Sequence, residues 1–329
     1  MMEKFPRTSP KGVLSLVLAV SFFQWSAVFA EPAKFVAPDP VEEKPHREQS
    51  PVTNLFEFER PVAAVKEGNV FKFSVHSNSP RVEIDYVEGE FQGRKILFFH
   101  DAGKFTALVG VDYGSSPGET PIRLKIFTKK WTRSYKVGIA VESKEFPHEV
   151  LRVPPRTVEP TEKDKEKIAK DRLLVSKIYT RKTYKKLWDT PILPVDSLVT
   201  SQFGTFRIYN GKKLNPHLGT DLRAATGTPI QVPMTGKVRL ARFLFYTGNT
   251  VILDHGYGLY SIYGHLSKLK VKEGKIAKRG TVLGLAGKTG RANGPHLHWG
   301  IQLNGTKVNP FSLVEVLKAD IDDKVAHKD

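Results

Sequence analysis

The sequence predicts a mainly β protein in which two strand-built domains are joined by a helical connector. Three observations carry this. First, Val70-Phe71-Lys72-Phe73-Ser74-Val75, Arg81-Val82-Glu83-Ile84-Asp85-Tyr86 and Arg123-Leu124-Lys125-Ile126 alternate apolar and polar residues, the period of a strand with one buried face. Second, the region beyond 195 is rich in glycine and short apolar runs, with no helical pattern before Pro310 to Leu317. Third, a charged stretch between prolines opens with helix-start signals.

Taken in order, Lys4, Arg7 and Lys11 precede an uncharged, mostly apolar run from Val13 to Phe23, and Val28-Phe29-Ala30 offers a cleavage site before Glu31. Residues 1–30 therefore read as a secretory signal peptide. An uncleaved anchor is the alternative, but Ser15, Ser21, Gln24 and Ser26 dilute a segment that would need about 20 predominantly apolar residues. No other segment suits a membrane span, so none is expected after cleavage. Residues 31–51, rich in Pro, Glu and Lys, read as a flexible tether.

From 52 to 150 the alternating runs, with the denser Ile96-Leu97-Phe98-Phe99 and Ala107-Leu108-Val109-Gly110-Val111, predict a β-sandwich. Residues 151–194 form the connector: Pro154, Pro155 and Pro160 break the chain, Thr161 is placed to cap a helix running to about Trp188, and Pro191 and Pro194 end it. Ile168, Val175, Ile178 and Tyr179 make an apolar stripe expected to pack on a neighbouring domain. The second β domain spans 195–318, and a polar tail is expected from 319 to 329.

The chain has 329 residues, no cysteine and a formal net charge of +17. Without thiols it holds itself together by packing, and any metal must rest on His, Asp or Glu. A basic balance of this size raises nucleic-acid binding. No nucleic-acid motif is present and the chain reads as exported, so no nucleic-acid partner is expected. The charge suits the anionic cell envelope better.

Five residues carry the chemistry. His217 and Asp221 stand in Pro216-His217-Leu218-Gly219-Thr220-Asp221, His265 in Tyr263-Gly264-His265-Leu266, and His296 and His298 in His296-Leu297-His298-Trp299-Gly300. Side chains two apart on a strand share a face, so His296 and His298 can reach one metal or one substrate while Leu297 points away. His217 and Asp221 are four apart, and Gly219 and Gly227 argue against a helix there. A catalytic zinc takes three N/O ligands and keeps an open position. The set therefore offers imidazoles and a carboxylate for a metal, with imidazoles to spare for proton transfer. His255, in Asp254-His255-Gly256, reads as structural, and His76, His100 and His148 as surface residues.

The stretch from Val199 to Leu313 resembles the lysostaphin/LytM-type zinc metallopeptidases, which cut peptide cross-links of bacterial peptidoglycan. The likeness runs in order through Thr200-Ser201-Gln202-Phe203-Gly204, His217-Leu218-Gly219-Thr220-Asp221-Leu222, Gly227-Thr228-Pro229-Ile230, Tyr263-Gly264-His265-Leu266-Ser267, Gly284-Leu285-Ala286-Gly287-Lys288-Thr289-Gly290 and Gly294-Pro295-His296-Leu297-His298-Trp299. The resemblance implies an antiparallel β peptidase domain with Zn2+ held by His217, Asp221 and His298. His265 and His296 would flank the activated water and the scissile carbonyl, His296 moving the proton and His265 steadying the oxyanion. Phe105 to Asp112 resembles a segment of the immunoglobulin-like domain common in exported members.

One departure stands out: the family often has Arg-Arg after the Phe-Gly turn, where this chain has Thr205-Phe206-Arg207. That turn is expected to shape the groove rim and bear on substrate fit, not on metal binding. The resemblance implies peptidoglycan peptide stems as substrate and a periplasmic or envelope location, with a D-alanyl–diaminopimelate cross-link favoured over a glycine-rich bridge. Some relatives have lost ligands and act as non-enzymatic activators of other wall hydrolases; the filled ligand positions favour an enzyme. A pure wall-binding module would not need the set. The N-terminal domain and connector are further expected to fold across the groove and limit access.

Overall fold

The computed structural model describes residues 55–211 and 213–326. The expected signal peptide, the tether and the last residues of the tail lie outside them. No helix among the described residues is long and apolar enough to cross a membrane.

The N-terminal half is a two-sheet β-sandwich, with strands where the alternating runs at 70–75 and 123–126 predict them; the third run, Arg81 to Tyr86, is irregular and enters a strand only at Tyr86. Its strands are β1 (Phe56–Glu59), β2 (Val65–Lys66), β3 (Val70–Ser77), β4 (Tyr86–Phe91), β5 (Arg94–Ile96), β6 (Phe99–Asp101), β7 (Lys104–Gly110), β8 (Gly118–Phe127) and β9 (Thr132–Glu142). One sheet runs β1-β3-β7-β6 and the other β2-β9-β8-β4-β5. Phe73, Val75 and Val109 from the first interleave with Ile122, Ile126 and Ile139 from the second, all essentially without solvent contact. Because neighbours along a strand face opposite ways, β8 buries Ile122, Leu124 and Ile126 and exposes the charged residues between them.

The connector begins with a short strand, β10 (His148–Leu151), and then α1 (Glu162–Tyr179). Thr161 caps α1 as expected. Its hydroxyl accepts from the Asp164 amide, and the Asp164 carboxylate accepts from the Thr161 amide. The helix stops at Tyr179 rather than Trp188. Beyond it the chain turns extended: the Thr183 carbonyl accepts from the Tyr257 amide at 2.8 Å and the Leu187 amide donates to the His255 carbonyl at 2.9 Å. Trp188 is buried edge-on against Phe99. A continued helix would forfeit these tertiary contacts, and Thr183 and Tyr184 are poor helix formers to defend it.

The C-terminal half holds β11 (Val199–Ser201), β12 (Phe206–Tyr209), β13 (Lys213–Pro216), β14 (Thr220–Arg223), β15 (Pro229–Gln231), β16 (Gly236–Leu244), β17 (Gly248–Gly256), β18 (Leu259–Leu266), β19 (Lys268–Leu269), β20 (Ile276–Ala277), β21 (Val282–Leu285), β22 (His296–Leu303), β23 (Thr306–Val308) and α2 (Pro310–Ala326). Eight of these strands make the main sheet, with order β11-β14-β22-β18-β17-β16-β20 and β23 pairing with β22. α2 continues past 318, where the tail was expected.

The two faces of this sheet have different work. Leu222, Leu297, Trp299, Ile301, Tyr263 and Leu253 point into the largest apolar core. On the other face Leu240, Ile252 and Tyr260 are covered by Ile178, with Val175 and Tyr179 of α1 beside it. The connector helix thus shields one half of the face, and the histidine strands occupy the other.

The sandwich docks on the far end of β22 and on α2. Val70 and Leu108 share a core with Leu303, Val308 and Leu313. The Val70 amide donates to Ser312 Oγ at 2.9 Å, and the Asn309 amide to the Gly68 carbonyl at 2.7 Å. Gly110 permits this approach, because a Cβ there would lie 2.6 Å from Val308 Cγ1. Among the described residues the sandwich does not reach across the histidine cleft, and of the upstream part Glu149, Leu151 and Val153 at the start of the connector form part of its wall.

Candidate metal centre

The register of three strands assembles the site. β14 and β22 are antiparallel, with Asp221 opposite His298 and Arg223 opposite His296. Opposed residues share a face, so Asp221, Arg223, His296 and His298 project together while Leu222 and Leu297 enter the core. On the other side of β22, Gly264 of β18 lies opposite His298. Simple alternation would then aim His265 away from the site. Instead the β17–β18 pairing slips between Val251 and Asn249, and His265 adopts φ +61°. This bulge turns its ring back, to 4.7 Å between centroids from His296 and 5.9 Å from His298.

His217, Asp221 and His298 converge. His217 Nε2 is 3.1 Å from Asp221 Oδ1, His298 Nδ1 is 2.9 Å from the same oxygen, and the two nitrogens are 3.0 Å apart. Metal bonds of about 2.0–2.1 Å in a tetrahedral set would separate neighbouring donors by roughly 3.3 Å. Two imidazole nitrogens and one carboxylate oxygen facing each other at this spacing fit a divalent cation of the zinc type. The outer atoms are held as such ligands need: His217 Nδ1 lies 3.2 Å from the Gln202 carbonyl, to which it donates, leaving Nε2 a lone pair for the cluster.

Asp221 Oδ2 is gripped by the guanidinium of Arg207, whose Nε lies 3.2 Å from Glu149. Burial works against the Asp221 carboxylate, yet the facing His217 and His298 hold it well below the usual carboxylate range. The Thr205-Phe206-Arg207 turn was expected to bear on substrate fit and not on metal binding. Its arginine instead touches the carboxylate of the cluster, because β12 runs beside β10 and points Arg207 inward. No local signal in the sequence marks that contact.

The two remaining imidazoles are anchored alike. His265 Nδ1 is 2.7 Å from the Thr289 carbonyl and His296 Nδ1 is 2.9 Å from the Gly294 carbonyl, so each donates there and leaves Nε2 for the cleft, that of His296 standing 3.6 Å from Asp221 Oδ2. His255 lies elsewhere, fully buried, bonded to the Thr235 carbonyl at 2.9 Å and Ser261 Oγ at 2.7 Å. His100 and His148 are exposed and His76 half-buried, all away from the cluster.

Burial pushes His265 down to about 3, helped by the neighbouring His296 and His298, and pushes His298 down to about 4. Burial also lowers His255. In the unfolded chain these groups protonate near ~6.5. Below that pH the unfolded state binds more protons, so the metal-free protein should hold full stability above about 6.5 and lose it as pH falls toward about 4. Urea titrations in the presence of chelator at about pH 7.5 and about pH 5 check the sign; equal stabilities would refute it.

Gly219 sets the room for the cluster. A Cβ there would stand 2.4 Å from Cε1 and 2.8 Å from Nε2 of His298. Gly219→Ala is expected to displace this ring and weaken metal affinity by about 10- to 100-fold, as loss of an outer support does elsewhere. Chelator competition reads it, and an unchanged affinity would show that the ring has slack.

The cleft above the cluster has a volume of about 280 Å³ and is walled by the main sheet, by β12 and by Glu149, Leu151 and Val153 of the connector. A larger groove of about 960 Å³ lies on the sandwich, lined by residues such as Tyr86, Phe98 and Lys182, and it contains no histidine.

A two-histidine, one-carboxylate cluster with two further imidazoles in an open cleft is the donor set that a metal-dependent hydrolase centre requires. Residues 215–310, which include all five, match the model of Peptidase family M23, and this part of the chain is a peptidase M23 domain. The chain is 41% identical over 119 residues to the peptidoglycan DD-endopeptidase ShyA of Vibrio cholerae serotype O1, covering 35% of this chain and 28% of ShyA. It is 37% identical over 108 residues to the DD-carboxypeptidase/endopeptidase Mpg of Neisseria meningitidis serogroup B, covering 32% and 25%. The match thus spans about a quarter of each of these relatives. A solved structure assigned to peptidase M23 from Pseudomonas aeruginosa superposes with a TM-score of 0.57 at 28% identity, covering 77% of this chain and 96% of that one. That likeness reaches well beyond the matched domain, into the upstream half.

Proposed function

We propose that the protein is a zinc-dependent endopeptidase that hydrolyses peptide cross-links of bacterial peptidoglycan in the cell envelope. The observation that carries this is the convergence of His217, Asp221 and His298 beside the paired His265 and His296 within an M23 domain. The relatives named for peptidoglycan endopeptidase activity supply the substrate class. The activator reading is not favoured, since every ligand position is filled. The basic and apolar N-terminal segment supports export to that compartment.

His217 Nε2, Asp221 Oδ1 and His298 Nδ1 would hold the metal. Zinc, when bound, acidifies a coordinated water toward a pKa of about 7 and polarises a carbonyl. His296, with Nδ1 fixed by Gly294, presents Nε2 to the cleft and takes the proton of the attacking water, then returns it to the leaving amine. His265 is neutral at physiological pH, and its one N–H is spent on Thr289. It therefore accepts a hydrogen bond and orients the water; it has no donor left for an oxyanion, the role expected of it from the sequence. Arg207 grips Asp221 Oδ2 and keeps the carboxylate aimed.

Digestion of purified sacculi by the protein tests the reading, with products weighed by mass spectrometry. Loss of cross-linked dimers that stops with a chelator and returns with zinc is expected. Intact sacculi in the presence of zinc-loaded protein would overturn it.

A further inference from the structure

Three arginines line the cleft, and only one of them is neutralised. Arg207 is spent on Asp221 and Glu149. Arg223 sits opposite His296 in the β14–β22 register, on the same face as Asp221, and is exposed. Its side chain makes no hydrogen bond or ion pair among the described residues. Arg291 follows the Thr289 carbonyl that anchors His265. Its guanidinium carbon lies 4.3 Å from the Tyr209 ring centroid and 4.5 Å from that of Tyr246, and its amide donates to the Tyr246 carbonyl at 2.8 Å. Its flat face is therefore held by aromatic rings, while its in-plane N–H groups have no acidic partner among the described residues. Glu149 and Asp221, the acids of the cleft lining, are already engaged.

A guanidinium fixed by stacking, with its fork of donors unused, is preorganised for a planar two-oxygen anion. A second unpaired arginine on the lining of the same cleft adds a positive charge with no internal counter-charge, and the pair favours an anion in the cleft. We propose that Arg291 and Arg223 form a carboxylate subsite that takes a free carboxylate of the substrate peptide next to the bond to be cut. The subsite selects an acidic peptide stem over an uncharged glycine bridge or an amidated stem. It rests on the peptidase reading only for the choice of peptide.

Of the three carboxylates of such a stem, the α-carboxyl of its γ-linked Glu, a side-chain carboxyl at the cross-linked residue and the C-terminal carboxyl, the last two are the candidates nearest the cross-link. The probe is the synthetic tetrapeptide L-Ala–γ-D-Glu–meso-diaminopimelate–D-Ala with the D-Glu α-carboxyl amidated throughout, in three forms: the other two carboxyls free, the diaminopimelate side carboxyl amidated, and the C-terminal carboxyl amidated. Calorimetry gives the affinity of each for the full chain and for R291M and R223M. One amidation is expected to weaken binding by about tenfold or more, the range of a charge-assisted hydrogen-bonded pair, and to name the carboxylate. That difference should shrink toward one in both variants. A merely structural Arg291 would instead weaken all three peptides in parallel and leave the ratio intact, which overturns the proposal. So do equal affinities of all three forms for the wild-type chain, and so does binding of none. A wild-type protein that shows the ratio but leaves sacculi intact would sink the peptidase reading and leave the carboxylate subsite standing.

Discussion

Asp221→Ala is expected to empty the metal cluster and to loosen the fold in one step. The metal effect follows from losing the only carboxylate among the three converging donors. The stability effect follows from Arg207, whose side chain is only 10% exposed and would keep its charge without its main partner. Removing one member of a buried ion pair costs about 3–5 kcal/mol, because the other is left buried and uncompensated. The partial rescue by Glu149 at 3.2 Å places the expectation at the lower end, about 3 kcal/mol. The double variant Arg207→Ala/Asp221→Ala should recover part of that loss and none of the metal. Denaturation curves of the metal-free proteins and zinc content by mass spectrometry separate the two effects. If the double variant were as unstable as the sum of the singles, the coupling between these residues would be absent.

His265→Asn is expected to do the opposite: to remove activity while sparing fold and metal. The imidazole is 6% exposed, lies beside two other histidines and sits on a backbone with φ +61°. A left-handed conformation costs a non-glycine residue of this kind about 1–2 kcal/mol, and asparagine tolerates it better than most. The lost contact with the Thr289 carbonyl and the relieved strain should nearly offset, leaving stability within about 1 kcal/mol of wild type. Loss of a positioned proton-transfer group should lower turnover of a cross-linked peptide by about 10²- to 10⁴-fold. Zinc loss in this variant would make His265 a ligand, and near-normal turnover would remove it from the machinery altogether.

The candidate site was legible in the sequence because its residues stand in short motifs. A two-residue spacing on a strand puts His296 and His298 on one face whatever the rest of the chain does, and the glycines around Asp221 exclude a helix. The strand-built character of both halves was legible for the same reason, since an alternating pattern with one buried face leaves a local trace. The length of the connector helix was not. Residues 180–188 have no strong preference, and contacts to His255, Tyr257 and Phe99, which are remote in sequence, pull them out of the helix.

What the sequence determined by itself is the donor set and the face on which its strand-borne members stand, because side-chain type and a period of two are local properties. What only the tertiary structure decided is what surrounds them. The ring of His265 reaches the cleft through a bulge that alternation does not predict. Arg207 reaches Asp221 because β10 draws β12 inward, and Arg291 rests against Tyr209 of β12 and Tyr246 of the β16–β17 turn. Each is a non-local pairing whose energy appears only when separate segments meet, and no residue carries the mark of such a contact before the chain folds.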